Sequence, residues 1–599
     1  MLAGSAEMCA GTLLIAAVRI VLSRDLSLWR SWITGGIVAA VMSAGVWMPA
    51  AELLANSARS ALPAAARTYW SLHPLSLLEF FLPIPLSAFP LTPRWQGALF
   101  EGREPFLASM YLGIAILPLC MAALADSSLS RAVRATGFLG AVGAVLTALG
   151  KNAAFYSWIV AIVPLLKIFR YPAKAMIPAT VVLCVGAGVG IASIGRSARS
   201  RKAAWAGIAG LSVMALGLLA SFQSLEKEFV NMSETAGVLD LQNNLPGDLV
   251  RTVALLVLLG GYTLVRGRRW GAVLLIVVAL GHVAQSHALH RALNPTVPTA
   301  ALSYRPEYLD LMRPPPGGRV YVYDYSNLKG RANGYLPAKP GKWQRLEGLD
   351  GGVAQLLTVR QYLSPLVGAF WNIEYAWDVD MRMLFDRRLA GMTIGVRRVE
   401  ETPGFLKLLQ ISGVHRMVSL HDEGLAGLKL LAKEDFFPRP LQIFEVPDPL
   451  PRAFLVSGRR RSSGNDLRDL VDPTFDPRLS TLVERDPVRT PAAEFEGAAT
   501  IIERRSDRIE IETRSSSPAL LTLIDGAMPG WRAWIDDQPA LVERTNTLFI
   551  GTEVPAGRHR VVFRFLPATA VVGVASTLLT CVLLAGSFLR SLSRGRSRV

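Results

Sequence analysis

Nine apolar segments constrain this chain more than any other feature of its sequence. Each approaches the ~20 mostly apolar residues that a helix needs to cross the ~30 Å hydrocarbon core of a bilayer. A further apolar stretch at about 153–170 is short and is interrupted by Pro164, so we interpret it as a re-entrant or interfacial segment. The sequence therefore predicts a polytopic α-helical membrane domain with about nine transmembrane helices, near residues 8–23, 32–50, 106–125, 133–150, 176–195, 203–222, 249–265, 270–288 and 569–589.

The charge balance separates the chain into two parts. Lys and Arg number 63 and exceed the 46 Asp and Glu by 17, which in a soluble protein would indicate nucleic acid or another polyanion. Charged residues are sparse up to residue 290 and about twice as dense after it. We therefore predict a multi-span domain of eight helices over 1–290 and a mostly water-soluble region after it.

Five basic clusters test the order of the spans, because basic residues are retained on the cytoplasmic side. All five fall on one side if the nine spans alternate. This predicts a multi-pass protein of the bacterial cytoplasmic membrane with its N-terminus and residues 290–568 outside. It also explains most of the positive charge without a nucleic-acid partner. The clusters are Arg24 with Arg30, Arg131 with Arg134, Arg196–Lys202, Arg266–Arg269 and Arg590–Arg598.

The first residues, Met1–Glu7, carry no basic residue and precede the first apolar segment without a secretory n-region. An outside N-terminus of this kind is typical of a chain whose earlier spans are missing. We therefore expect an N-terminally truncated sequence, with a genuine outside start as the alternative.

The outer half contains two kinds of pattern. Residues 291–450 begin with a proline-rich linker and mix helix-like and strand-like stretches, which predicts an extracytoplasmic α+β region. Residues 451–568 contain short strands separated by turns, which predicts an extracytoplasmic β-sandwich. A C-terminal transmembrane helix at 569–589 and a basic cytoplasmic tail at 590–599 follow. The predicted strands of the sandwich are 453–456, 499–503, 508–513, 519–524, 532–535, 548–550 and 560–565.

The predicted outer loop from Lys151 to Ala175 holds four basic residues and no acid, on the side where the positive-inside rule disfavours them. Cations at headgroup level bind phosphate, and an arginine before Tyr171-Pro172 presents a fork-shaped donor on a constrained turn. We predict that Lys167, Arg170 and Lys174 bind a donor phosphate on a membrane lipid. Contact with ordinary headgroups is an equally weighted alternative.

Glycosyl transfer also needs a carboxylate that accepts a proton or positions a metal ion. The outward acids are Glu52, Glu79, Glu101 and Glu104. Glu52 follows the second span and is our candidate catalytic base, although a structural pairing with nearby Arg59 is the more ordinary interpretation. A divalent cation is the one cofactor that this chemistry leaves open.

Two tryptophans in the predicted sandwich, Trp531 and Trp534, point to opposite faces of a strand by alternation. One is expected in the core and the other exposed. Beside Asp536, an exposed tryptophan is suited to stacking on a sugar ring of a glycan. Core packing of both tryptophans is the more common arrangement.

Other chemistry-bearing residues carry weaker signals. His282, His287 and His290 lie near the end of the eighth span, where we favour interfacial hydrogen bonding and predict no metal site. The four cysteines lie in apolar runs and predict no disulfide framework. The chain lacks the P-loop, zincin and serine-hydrolase motifs, so those activities are unsupported.

The ordered motifs of the chain resemble those of the bacterial YfhO-type membrane proteins from about residue 32 onward. The resemblance implies a relative of the GT-C glycosyltransferases, which move a sugar from a polyprenyl-phosphate donor onto an acceptor outside the cytoplasmic membrane. Such enzymes carry a catalytic acid in the first external loop, which is missing here and again suggests truncation. The matching segments are Pro49–Glu52, Ser57–Arg59, Phe169–Lys174, Ile411–Val418, Pro451–Phe454, Met528–Ala533 and Val554–Val561.

We therefore expect a GT-C-like glycosyltransferase, or its C-terminal part, acting on a cell-envelope glycan or polymer. The alternative is a non-catalytic envelope membrane protein whose outer β-sandwich binds glycans. A transporter is least favoured, because charged residues inside the predicted spans, such as Arg19, are few and no internal repeat is evident.

Overall fold

The chain divides into two compact units in a computed structural model, which describes residues 6–80, 83, 92–101, 105–221, 238–266, 269–291, 296–323, 349, 351–380, 382–400, 402–437, 439–485 and 487–596. The first, which we call the helical unit, comprises residues 1–40 and 61–295. The second, the mixed unit, comprises residues 41–60 and 296–599. A short N-terminal segment therefore belongs with the outer half of the sequence.

Twelve described helices precede residue 296. Five 3₁₀ turns lie between them, at Ala58–Ala61, Pro74–Phe80, Gly150–Asn152, Pro164–Ile168 and Pro172–Ala175. The helices are α1 (Ala6–Ser23), α2 (Leu26–Met42), α3 (Ala44–Asn56), α4 (Ala64–Arg67), α5 (Pro93–Phe100), α6 (Ile116–Ala125), α7 (Arg131–Ala148), α8 (Ala154–Ile162), α9 (Met176–Arg196), α10 (Ala198–Ala220), α11 (Val238–Val265) and α12 (Arg269–Arg291).

Five helical segments of the described chain are long and apolar enough to cross a membrane. They match five of the nine predicted spans. A sixth candidate is the pair α2 and α3, which is bent by 74° at Ser43, so the predicted span 32–50 is not one straight helix. A membrane helical domain is thus present, with five or six spans of sufficient length among the described residues. The five are Pro172–Arg196, Ala198–Ala220, Leu245–Val265, Arg269–His290 and Ala568–Arg590.

The three other predicted spans are shorter or less apolar. The apolar part of α1 runs from Cys9 to Ser23. Helix α7 begins with Arg131 and carries Arg134, and these residues lower its mean hydropathy. The predicted span 106–125 is helical only from Ile116 onward.

The non-helical half of the segment 106–125 is held by side chains of other elements. Gly113 has a φ of +101°, a conformation that ends any helix passing through it. The backbone N–H of Met110 donates to Glu79 over 3.0 Å, and that of Ala115 donates to His282 Nε2 over 3.3 Å. These contacts satisfy backbone groups that a helix would otherwise pair internally.

The mixed unit contains three sheets. The strands are β1 (Arg319–Val322), β2 (Val414–Ser419), β3 (Lys429–Glu434), β4 (Leu441–Glu445), β5 (Ala453–Val456), β6 (Gly458–Arg461), β7 (Ser480–Val483), β8 (Gly497–Arg504), β9 (Arg508–Ser515), β10 (Ala519–Gly526), β11 (Trp531–Ile535), β12 (Gln538–Ala540), β13 (Glu543–Thr545), β14 (Phe549–Val554) and β15 (Gly557–Phe565). Their orders in the three sheets are β1-β2-β4-β3, β5-β10-β14-β13-β7-β6 and β12-β11-β15-β9-β8.

Six further helices complete the described part of the mixed unit. The last of them is the long apolar helix at the C-terminal end. They are α13 (Thr299–Leu302), α14 (Gly351–Tyr362), α15 (Arg387–Gly395), α16 (Pro403–Ile411), α17 (Asp466–Val471) and α18 (Ala568–Arg596).

The six-stranded sheet is covered on both faces. On one face, Leu521 of β10 packs in one core with Ile511 and Phe563 of the five-stranded sheet, so these two sheets form a sandwich-like pair. On the other face, Leu520 and Ile524 join a core with the helices and the four-stranded sheet. The predicted α+β region and β-sandwich therefore share apolar contacts across residue 450.

Helix α3 packs against α18 through small residues. A Cβ on Gly573 would lie 2.5 Å from the carbonyl oxygen of Ala44, so the two backbones approach closely there. The backbone N–H of Gly45 donates to Thr577 Oγ1 over 3.1 Å. These contacts attach residues 41–60 to the far end of the chain.

Candidate functional site

The helical unit contains an apolar cavity of about 430 Å³. Its walls come from α1, α7, α8 and the segment that leads into α9. Most of the lining is aliphatic, aromatic or glycine. Arg170 and Lys174 are the charged side chains among the described lining residues, so the cavity joins an apolar interior to a cationic border.

The backbone around Arg170 is fixed by local contacts. Tyr171 has a φ of +66°, which is uncommon for an aromatic residue and is retained where surrounding structure enforces it. Pro172 then begins a 3₁₀ turn that continues into α9. The backbone N–H of Ala173 donates to the carbonyl of Trp70 over 3.3 Å, and Trp70 has a φ of +57°. The segment after Tyr171 is thus hydrogen-bonded to a second residue at positive φ.

Four aromatic rings form a cluster beside the cations, which we call the aromatic cluster: Tyr69, Trp70, Phe106 and Tyr171. The ring centroids of Trp70 and Tyr171 are 4.5 Å apart, and those of Phe106 and Tyr171 are 5.5 Å apart.

Both cations lie against the Tyr171 ring of this cluster. Arg170 Cζ lies 4.5 Å from the centroid and Lys174 Nζ lies 5.2 Å from it. Cation–π contacts of this kind fix the positions of both charges.

A small acid-bearing cavity of about 30 Å³ lies on the other side of the aromatic cluster. Trp70 and Phe106 line it together with His73, Glu79 and Glu101. Glu79 is 4% exposed and accepts the backbone N–H of Met110. Burial lowers the pKa of His73, so its imidazole is neutral at pH 7. Residues of the aromatic cluster therefore line both the cavity with the carboxylates and the cavity with the cations.

Glu101 ends α5 in a left-handed conformation, with a φ of +58°. Its Oε1 lies 2.6 Å from Lys151 Nζ. The predicted basic loop is thus partly balanced by an acid from a segment that precedes it by about fifty residues.

The predicted phosphate-binding residues do not all lie together. Arg170 and Lys174 line the apolar cavity, but Lys167 is exposed and is absent from its lining.

Glu52 lies in the mixed unit, where a carboxylate oxygen accepts the hydroxyl of Thr569 at the start of α18. The guanidinium of Arg59, the expected partner of Glu52, donates to the carbonyl of Arg382 over 3.5 Å. The prediction of Glu52 as a base stays untested.

The tryptophans of β11 occupy opposite faces of the five-stranded sheet. Trp531 packs on the sandwich core with its ring centroid 5.3 Å from that of Phe565. Trp534 lies on the other face, with Arg564 Cζ 5.6 Å from its ring centroid. Asp536 forms hydrogen bonds to the neighbouring strand β15, to His559 Nδ1 at 2.6 Å and to the backbone N–H of Arg560 at 2.8 Å.

Two histidines of α12 take part in hydrogen bonds. His282 accepts the N–H of Ala115, and His290 Nδ1 lies 2.7 Å from the carbonyl oxygen of Ser286. In the described part of the chain, no three His, Cys, Asp or Glu side chains are grouped to hold a metal ion.

The sequence analysis missed Trp70, Phe106 and His73 as parts of a site. A usable signal was present, since Tyr69-Trp70 and His73-Pro74 place two aromatic residues, an imidazole and a turn-forming proline within six residues. No protein-family model, curated protein or solved structure matches the chain.

Proposed function

We propose that the protein is a GT-C-like membrane glycosyltransferase, or the C-terminal part of one. It transfers a sugar from a polyprenyl-phosphate donor to a cell-envelope acceptor outside the cytoplasmic membrane. The observation that carries the proposal is the apolar cavity bordered by Arg170 and Lys174. A polyprenyl phosphate has the same two parts, a long apolar chain and an anionic head, and a guanidinium binds phosphate oxygens in a bidentate way.

The proposed topology has nine spans, with the N-terminus and the mixed unit's sheets outside. Contacts within the helical unit support it. Arg196 at the end of α9 lies 4.0 Å from Asp126, which follows α6, and Arg134 of α7 donates to the carbonyl of Leu124. Two basic clusters therefore share one end of this unit. Gly11 lies beside Pro178, at the opposite end of α9 and near Arg170.

The proposed transfer needs a base for the attacking hydroxyl. Glu79 and Glu101 are suited to this role, because they line the cavity that shares the aromatic cluster with the cationic border. Glu52 is the competing assignment. The variants Glu79→Gln, Glu101→Gln and Glu52→Gln separate the three, since removing the base lowers the turnover rate by ~10²–10⁴-fold and leaves donor binding nearly unchanged.

The direct test measures transfer of a labelled sugar from a polyprenyl-phosphate donor by the full-length protein in nanodiscs. Arg170→Ala is expected to reduce transfer about 30-fold or more, because it removes a charge-assisted contact to phosphate worth roughly 2–3 kcal/mol. Lys167→Ala is the matched control from the same loop and is expected to stay within about twofold of the wild type. Undiminished transfer by Arg170→Ala would contradict the donor site.

A second candidate function is glycan binding without catalysis. The observation in its favour is Trp534, which lies beside Arg564 on the face of the five-stranded sheet that points away from the sandwich core. This function predicts saturable glycan binding that Trp534→Ala weakens, together with no transfer by the wild-type protein. Transfer of the labelled sugar would exclude it.

A further inference from the structure

A second cavity, of about 380 Å³, lies within the mixed unit. Its described lining comes from positions between 366 and 389, from the start of β1 and from the β10–β11 and β13–β14 connections. The two connections lie at one end of the six-stranded sheet, where β10 and β13 finish and β14 begins. The volume is within the ~300–1,000 Å³ of sites for small organic ligands. The cavity is separate from every residue that we assign to sugar transfer.

The aromatic part of this lining includes Trp377, Tyr375 and Phe385. The backbone of Trp377 has a φ of +59°, a conformation that a bulky residue holds only where its surroundings enforce it. The Tyr375 hydroxyl is already paired, since it donates to the carbonyl of Leu363 and accepts the N–H of Gly368, each over 2.6 Å. The aromatic surface is therefore rigid and ready to contact an apolar ligand face.

Two buried N–H donors of the lining have no acceptor. Trp377 is 6% exposed, and its Nε1 has no hydrogen-bond partner. Arg319 Nε is also buried without a partner, although another nitrogen of the same guanidinium donates to the carbonyl of Ile524 over 2.6 Å. A buried donor without an acceptor destabilises the protein, and a ligand oxygen at either position would remove that penalty.

The charged lining is balanced. Arg319 and Arg544 face Asp378 and Asp386, and Arg544 NH1 lies 3.7 Å from Asp386 Oδ1. Asp378 is 5% exposed and accepts the backbone N–H groups of Leu366 and Val379. Equal numbers of cations and carboxylates suit a neutral ligand with many hydroxyl groups better than an anion, because hydroxyls donate to carboxylates and accept from N–H groups.

We propose that this cavity binds a neutral saccharide unit, with one face of the sugar ring on Phe385 and hydroxyl oxygens accepting from Trp377 Nε1 and Arg319 Nε. An aromatic ring supplies the apolar contact that the C–H face of a pyranose needs, and the surrounding donors and carboxylates match its hydroxyls. The proposal does not rest on sugar transfer, since binding requires neither donor lipid nor turnover.

Calorimetric titration of the full-length protein in nanodiscs tests this site, with methyl glucoside, maltose and N,N′-diacetylchitobiose as probes. Saturable binding of at least one probe is expected. Trp377→Phe keeps the aromatic ring but removes the N–H, so it is expected to weaken that binding about tenfold. Trp371→Phe, in the same unit but outside the cavity lining, is the matched control and is expected to bind as the wild type does, whereas Trp534→Phe tests the alternative glycan site on the outer sheet face.

Gly526→Leu provides a second variant, because Gly526 lines the cavity and a Cβ there meets no atom within 4 Å. The leucine occupies cavity space without a backbone clash and is expected to abolish binding at an unchanged melting temperature. No binding of any probe, or binding that both cavity variants retain, would overturn the proposal. Loss of binding only in Trp534→Phe would also overturn it and would move the glycan site to the outer face.

Discussion

The hairpin between β11 and β12 turns through Asp536 and Asp537, whose φ angles are +48° and +64°. Two successive residues at positive φ fit the tight two-residue turn that joins antiparallel strands. Asp536 then contacts β15, where hydrogen bonds from the Arg560 backbone and from His559 lower the pKa of the carboxyl group. The same contact with Asp536 raises the pKa of His559. The contact between Asp536 and His559 thus holds the hairpin against β15.

A prediction at this scale concerns the titration of His559. Because the folded-state pKa of His559 is raised, its contribution to stability is fully present below ~6.5 and is lost as the pH rises through the raised value. The contribution of Asp536, whose pKa is lowered, is present above ~3.9 and is lost as the pH falls through the lowered value. The pair therefore stabilises the hairpin most between these limits.

Asp536→Asn is expected to return the pKa of His559 toward its ordinary value, measured by NMR titration of histidine-labelled full-length protein. Asp537→Asn is the matched control, since Asp537 lies near Arg560, at 3.7 Å, and not against His559. An unchanged pKa of His559 in Asp536→Asn would show that Asp536 does not stabilise the charged imidazole.

Single residues also show how far the sequence predicts the candidate site. Arg170 and Lys174 were accessible to prediction because the predicted order of spans places their charge on the side that the positive-inside rule disfavours. The sequence marks Tyr69 and Trp70 but does not reveal their contact with Tyr171, because Trp70 and Tyr171 are about one hundred residues apart in the chain. Lys167 shares the charge pattern of Arg170, but a pattern of charge does not determine which side chains border a cavity.

At the scale of elements, the close crossing of α3 and α18 gives a stability prediction. Gly573→Ala places a Cβ 2.5 Å from the carbonyl oxygen of Ala44, so the helices must separate. We expect a loss of about 1–3 kcal/mol, because overpacking forces backbone shifts. The measurement is thermal unfolding of the full-length protein in nanodiscs.

Gly586→Ala is the control for this prediction, since it lies on the same helix and a Cβ there meets nothing within 4 Å. It is expected to be neutral or slightly stabilising, as alanine favours helix over glycine. Equal melting temperatures for the two variants would show that the crossing is not tight.

The spans show why hydropathy predicts some elements and not others. The apolar spans within α9 to α12 and α18 were located within a few residues, because their hydrophobicity is continuous. The segment 106–125 has the same hydrophobicity, but its first half is not helical. Its backbone donates hydrogen bonds to Glu79 and His282, and Gly113 has a positive φ. A hydropathy window does not contain those partners. The short strands β6, β7, β12 and β13 were missed for a similar reason, since their pairing depends on neighbours in the sheet rather than on their own pattern.

For the whole molecule, the testable question is the side of the membrane on which each part lies. Ala556→Cys, at an exposed turn before β15, is expected to react with a membrane-impermeant maleimide on intact cells. Arg199→Cys, exposed near the start of α10, is expected to react only after permeabilisation. Labelling of both variants is measured in a protein whose four native cysteines have been replaced. Labelling of Arg199→Cys on intact cells would contradict the proposed topology.

The division of the chain into units was only partly predictable. Composition separates the helical part from the outer half near residue 290, and the boundary lies at residue 295. Composition does not reveal that residues 41–60 join the later unit, because apolar segments look alike whatever they pack against. Similarly, the break predicted at residue 450 reflects a change in strand pattern, whereas the core of Leu520 and Ile524 continues across it.

The pairing of α3 with α18 has a consequence for biosynthesis. Gly45 and Thr577 are 532 residues apart, so at ~5–20 residues per second a ribosome reaches the second residue on the order of half a minute to two minutes after the first. For that whole interval the glycine face of α3 has no native partner. Until α18 emerges, this surface of α3 is therefore exposed to contacts with other helices of the nascent chain.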